Sequence, residues 1–110
     1  MNAAPISAAS GLDAFSIAPA SHRALGSLLR LSIGNAPALL LTPNEAAILS
    51  RALSAVREAR SAERIIFLSP IASDGDFTAT VEGDGIRIGE AEHWLAWPEV
   101  ERLALALAVP

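Results

Sequence analysis

The stretch TPNEAAILSRALSAVREAR, residues 42–60, predicts an amphipathic helix, and this helix decides the class of the fold. Thr42 can cap the helix, Pro43 suits its first position, and Glu45 completes a T-x-x-E capping box. Apolar residues then recur at helical spacing, at Leu49, Ala52, Leu53 and Val56. The opposite side is polar, so the helix should turn one apolar stripe toward a core.

The segments around this helix have the patterns of β-strands. They are SLLRLSIG (27–34), ALLLT (38–42), RIIFLSP (64–70), FTATVE (77–82) and IRIG (86–89). Most of them alternate between apolar and polar residues, as half-buried strands do. The segment 64–70 contains a short continuous apolar run, IIFL, so we interpret it as a central strand buried on both faces. The GDG at 83–85 predicts a tight hairpin turn.

A second helix should begin near Trp97 and end the chain. The predicted order is therefore ββαβββα, an α+β fold with one antiparallel sheet of about five strands and two helices packed on one face. Residues 41–56 also align without gaps to residues 95–110, with Leu41 on Leu95 and Glu45 on Glu99. Either a duplication or two helices that obey the same start rules would explain this similarity.

The N-terminal residues differ in composition from the rest. Residues 1–22 are rich in alanine, serine and proline, so we expect a flexible arm, followed by a single α+β domain over residues 23–110. An alternative is that Phe15 and Ile17 dock as a short edge segment.

The composition excludes several classes of function. The chain has no cysteine, which removes disulfides and thiolate chemistry, and no lysine, which removes Schiff bases and the phosphate-binding lysine of a P-loop. A net charge of −4 argues against nucleic-acid binding, and no apolar run is long enough for a membrane span. We expect no cofactor and no metal, a cytoplasmic location, and a bacterial or phage source.

One group of side chains suggests a ligand site. Asp84 at the predicted hairpin, together with Glu90, Glu92 and His93, could surround a metal ion or a polar substrate. Aspartate beside glycine is also ordinary turn chemistry, and an EF-hand begun at Asp74 lacks the required glycine and glutamate. A small metal- or ligand-binding protein or enzyme is therefore the alternative interpretation.

The terminal helix carries the main functional hypothesis. Its core stripe should be Val100, Leu103, Ala104 and Leu107. Leu105 and Val109 point almost opposite that stripe, and a helix that is apolar on both sides is normally covered on both sides. The N-terminal arm, a second copy or another protein could cover it. The predicted interface consists of Trp97, Glu101, Arg102, Leu105 and Val109, which favours a non-enzymatic accessory or regulatory interaction module, expected to be a homodimer.

Overall fold

The computed structural model describes residues 15–34, 36–89 and 93–108. These residues form β1 (Phe15–His22), β2 (Gly26–Ile33), β3 (Leu39–Leu41), α1 (Pro43–Arg57), β4 (Ile65–Leu68), β5 (Phe77–Val81), β6 (Gly85–Ile88), β7 (His93–Ala96) and α2 (Trp97–Ala108). All strand pairs are antiparallel. The α+β class predicted from the sequence is therefore confirmed.

The start of α1 contains the predicted capping box. The Thr42 hydroxyl accepts a hydrogen bond of 3.1 Å from the Glu45 amide, and the Glu45 carboxylate accepts one of 2.9 Å from the Thr42 amide. The second carboxylate oxygen of Glu45 accepts a hydrogen bond of 3.0 Å from the amide of Ile71. One side chain thus caps the helix and holds the β4–β5 connection beside it.

The strands form two sheets, which corrects the prediction of one sheet. The orders are β1-β2-β3 and β4-β5-β6-β7. At the outer edge of β3, the Leu40 amide donates to the Ser73 hydroxyl at 2.6 Å, and this hydroxyl lies 3.1 Å from the Leu40 carbonyl oxygen. A side chain therefore satisfies backbone groups that a further strand would otherwise pair.

The predicted arm is corrected from Phe15 onward. Residues 15–22 form β1, which pairs with β2 from Phe15↔Ile33 to His22↔Gly26, as in the docked alternative. Phe15 and Ile17 pack against the core, and this burial offsets the ordering entropy of the strand. Residues 1–14 lie outside the described part of the chain.

Strand β4 is an edge strand, whereas the sequence predicted a central one. Ile66 is buried, but Ile65 is 57% exposed and Phe67 is 61% exposed. The strand does alternate between a core face and an outer face. Its outer residues are apolar too, so the alternation cannot be seen in the letters of the sequence.

The two helices pack against each other in antiparallel orientation, and each also contacts both sheets. The buried Ser50 hydroxyl donates a hydrogen bond of 2.7 Å to the Ala104 carbonyl, and Arg57 lies 3.9 Å from Glu101. The core stripe predicted for α2 is buried. One continuous apolar cluster therefore joins the helices to both sheets.

Strand β7, which the sequence analysis did not predict, runs directly into α2. Ala96 has no side-chain oxygen to cap the helix, but the Glu99 carboxylate accepts a hydrogen bond of 3.1 Å from the Ala96 amide. Leu41 and Leu95 are both fully buried just before their helices. The similarity between residues 41–56 and 95–110 thus corresponds to two strand-to-helix junctions of the same kind.

Candidate interaction surfaces

The outer side of α2 exposes Leu105, as the helical periodicity predicted. Leu105 is 61% exposed, although Ala104 beside it is buried against α1. Glu101, one turn earlier, is exposed as well. Val109 lies outside the described residues. This surface therefore combines one apolar side chain with an acidic one on a helix that is otherwise anchored in the core.

Arg102 lies on a different side of α2, toward β1. Its guanidinium group is 5.3 Å from the centre of the Phe15 ring, within the range of a cation–π contact. The described part of the predicted arm therefore covers α2 at Arg102 and leaves Leu105 exposed. The alternative in which the arm covers the outer side of α2 is therefore met by the described residues only at Arg102.

Trp97 has a structural position at the start of α2. The residue is half-buried and packs against the core, and its indole N–H donates a hydrogen bond of 2.8 Å to the Gly83 carbonyl. Because Gly83 lies in the β5–β6 turn, Trp97 ties this hairpin to the helix. We therefore leave it out of the proposed contact surface.

A second apolar surface lies on the outer face of the four-stranded sheet, and sequence reasoning missed it. Ile65, Thr80, Arg87 and Trp94 stand opposite one another in a row across the four strands. Arg87 forms an ion pair of 2.8 Å with Glu82. Phe67 extends this surface along β4. No local signal in the sequence marks this surface, because Ile66 between Ile65 and Phe67 is apolar as well.

The two residues of the predicted ligand site that the structure describes, Asp84 and His93, lie apart. Asp84 precedes β6, whereas His93 pairs with Ile88 at the opposite end of that strand. A rise of about 3.3 Å per residue places them more than about 10 Å apart along the strand. Glu90 and Glu92 lie outside the described residues. Within residues 15–34, 36–89 and 93–108 no group of three histidine or acidic side chains could hold a metal ion.

A cavity of about 550 Å³ opens between the two sheets. Its lining is mostly apolar and includes Leu31, Ile33, Leu39, Phe77 and Ile88. Asp76 and Thr78 add a carboxylate and a hydroxyl at its wall. An apolar wall with a few polar groups is the usual composition of a small-molecule site.

The carboxyl group of Glu58, just after α1, has a shifted pKa. The pKa of its carboxyl lies below the ordinary value of 4.5, first because the Arg60 side chain donates a hydrogen bond to it at 2.7 Å. The positive charges of Arg60 and Arg57 lower it further. These charges lie where α1 ends and the chain turns toward β4.

Comparisons with protein-family models, curated proteins and solved structures gave no significant match to this chain. Of the helices in the described part of the chain, none has both the length and the apolar character needed to cross a bilayer.

Proposed function

We propose that this protein is a non-enzymatic interaction module, accessory or regulatory in role, that forms a homodimer through the outer side of α2. The exposure of Leu105 carries this proposal. Complete burial of a leucine side chain stabilises by about 1.5–3 kcal/mol. A two-fold axis near Leu105 would bury the same side chain twice, once in each copy.

The charges around Leu105 support self-association further. Glu101 on α2 is exposed, and the Arg57 guanidinium group on α1 lies 3.9 Å from its carboxylate. A surface that carries one charge of each sign can face a copy of itself without like-charge repulsion, and such complementarity favours specific pairing. Arg102, stacked on Phe15, would lie at the margin of this contact.

Sedimentation velocity over a range of concentrations tests the proposal. We expect the wild-type chain to form dimers, and Leu105→Glu to shift the equilibrium to monomers because it places a charge at the centre of the contact. Ile65→Glu is the matched control, since Ile65 is about as exposed as Leu105 (57% against 61%) but lies on the outer face of the four-stranded sheet. A monomeric wild type at all concentrations would refute the dimer, and equal dissociation by both variants would refute a dimer formed through α2.

We expect a protein as the partner, and neither nucleic acid nor a membrane surface, since the net charge of −4 would be repelled by phosphate. The cytoplasmic location and the bacterial or phage source belong to this proposal as predictions from composition.

One observation favours a second candidate function, the binding of a small apolar ligand. The cavity between the sheets has a volume of about 550 Å³, within the usual range for ligand sites. A bound ligand must raise the melting temperature of the native state. We would therefore measure melting with a panel of aliphatic and aromatic alcohols and amines, which the carboxylate of Asp76 would not repel. A rise that Ala36→Trp at the cavity wall abolishes would support this function, and no rise with any compound would remove it.

A further inference from the structure

Two residues of β4 have backbone groups that point away from the sheet. The Val81 amide donates a hydrogen bond of 2.8 Å to the Arg64 carbonyl. Hydrogen-bonded and non-hydrogen-bonded pairs alternate in an antiparallel ladder, so Ile66 and Leu68 also bond to β5. Ile65 and Phe67 must then direct their N–H and C=O groups to the free edge of the sheet.

The edges of β1 and β3 are protected, whereas within the described part of the chain no strand pairs with the outer edge of β4. The edge of β3 is closed by Ser73, and β1 contains Pro19, which has no N–H to offer. The residues of β4 itself, Ile65–Leu68, include neither a proline nor a charge. An apolar edge without such protection is a template for a further strand.

A groove runs beside this edge, between β4 and the second half of α1. It has a volume of about 220 Å³, and the helix contributes Ala52, Ala55 and Val56 to its wall. Because two of these side chains are alanines, α1 leaves room for the side chain of an added strand. A residue opposite Ile66 would direct its side chain toward this groove, while its neighbours would lie beside Ile65 and Phe67.

We propose that the free edge of β4 binds an extended segment of a partner protein by strand addition. The segment has apolar residues at alternating positions and a carboxylate at the end that lies beside Arg64. Arg64 is exposed at the start of β4 and forms no salt bridge within the described residues. Main-chain hydrogen bonds supply affinity in this mode, and the alternating side chains supply specificity.

The size of the edge favours a peptide segment over a second copy. β4 is four residues long, and a stable dimer buries about 800 Å² on each partner. Pairing of two such short strands would bury much less than this. An extended segment can place one side chain in the groove along α1 and its neighbours against the outer face of the sheet at Phe67. It therefore contacts the groove and the outer face at the same time.

Nuclear magnetic resonance of the full chain tests this inference with a synthetic probe, the capped peptide Thr-Val-Thr-Val-Thr-Val-Asp. We expect the amide signals of Ile65 and Phe67 to shift on titration. Two further peptides carry N-methyl groups at odd or at even positions. One of them should bind roughly tenfold more weakly because it loses hydrogen bonds to the edge, and the other should bind like the parent.

Two matched pairs complete the experiment. Phe67→Ser should weaken binding, whereas Ile71→Ser, at an exposed apolar residue outside the strands, should leave it unchanged. A peptide with arginine in place of its aspartate should bind more weakly because of Arg64. Amide signals of Ile65 and Phe67 that do not move, or equal binding of both methylated peptides, would overturn the inference.

Protection of the same two amides without peptide, increasing with protein concentration, would show that a second copy covers the edge and would also overturn the inference. The proposal does not depend on self-association through α2. The titration is therefore repeated with Leu105→Glu, so that the two surfaces are judged separately.

Discussion

The Ser50 hydroxyl lies 2.7 Å from the Ala104 carbonyl oxygen, to which it donates a hydrogen bond between the two helices. Both residues are buried, so this polar contact is shielded from water and fixes the position of α2 along α1. Leu105, the next residue, is thereby held on the outer side of the pair.

Ser50→Ala should lower the free energy of unfolding by about 1 kcal/mol, since it removes a buried hydrogen bond. Urea denaturation measures this change. Ser54→Ala is the control, because Ser54 is half-buried one turn later and a substitution there should change the stability by less than about 0.5 kcal/mol. Equal losses in both variants would show that the contact with Ala104 adds nothing.

Trp97→Phe should lower the free energy of unfolding by about 1 kcal/mol, because an aromatic ring remains at this position but the hydrogen bond to Gly83 is lost. Trp94→Phe, on the exposed outer face of the sheet, should stay within about 0.5 kcal/mol of wild type. Urea denaturation followed by circular dichroism compares the two. A larger loss for Trp94→Phe would contradict the role given to the indole of Trp97.

Gly34→Ala should be more destabilising than Gly26→Ala. Both glycines have positive φ angles, +53° and +82°, at which an alanine costs about 1–2 kcal/mol. A Cβ at Gly34 would also overlap the imidazole ring of His93, whereas nothing lies within 4 Å of one at Gly26. Thermal melting measures both. His93→Ala should relieve the additional loss at Gly34, and failure of this rescue would refute the steric explanation.

Ala96→Thr should stabilise α2, because it restores the side-chain oxygen that Thr42 supplies to α1. The expected gain is about 1 kcal/mol, and Thr42→Ala should lose a similar amount. Chemical denaturation of both variants checks the pair. A gain for Ala96→Ser as well, and none for Ala96→Val, would assign the effect to the hydroxyl rather than to the larger side chain.

The lowered pKa of Glu58 predicts how Glu58→Gln depends on pH. The stabilising effect of the ionised carboxylate is present above its ordinary pKa of 4.5 and is lost as the pH falls through its lower value in the folded chain. The wild type should therefore exceed Glu58→Gln in stability at neutral pH and match it in strong acid. The difference should shrink at high salt, since the carboxylate is exposed. A difference that grows toward acid would contradict this sign.

Local patterns in the sequence were sufficient to predict the two helices. Thr42 and Glu45 marked the start of α1, and the position of Leu105 on the outer side of α2 followed from helical spacing alone. Such features depend on residues three or four apart, which interact within one helix.

The edges of the sheets could not be predicted in this way, because they depend on what lies next to a strand in space. The apolar run around Phe67 would look the same in a central strand. The composition of residues 1–22 predicts an arm, because alanine, serine and proline bury too little surface to offset the ordering entropy, but it does not reveal that Phe15 is anchored under Arg102. Ser73 takes the place of a further strand at the edge of β3. Its partner Leu40 is 33 residues away in the sequence, so no local pattern predicts this contact.

The two carboxylate oxygens of Glu45 have partners at very different distances along the chain. Thr42 is three residues away, while Ile71 is 26 residues away. The first hydrogen bond can form as soon as the helix nucleates, but the second must wait until the β4–β5 connection closes its loop. Loss of the hydrogen bond between Glu45 and the Thr42 amide should therefore slow folding. Loss of the hydrogen bond between Glu45 and the Ile71 amide should mainly accelerate unfolding. A single side chain thus separates an early step of folding from a late one.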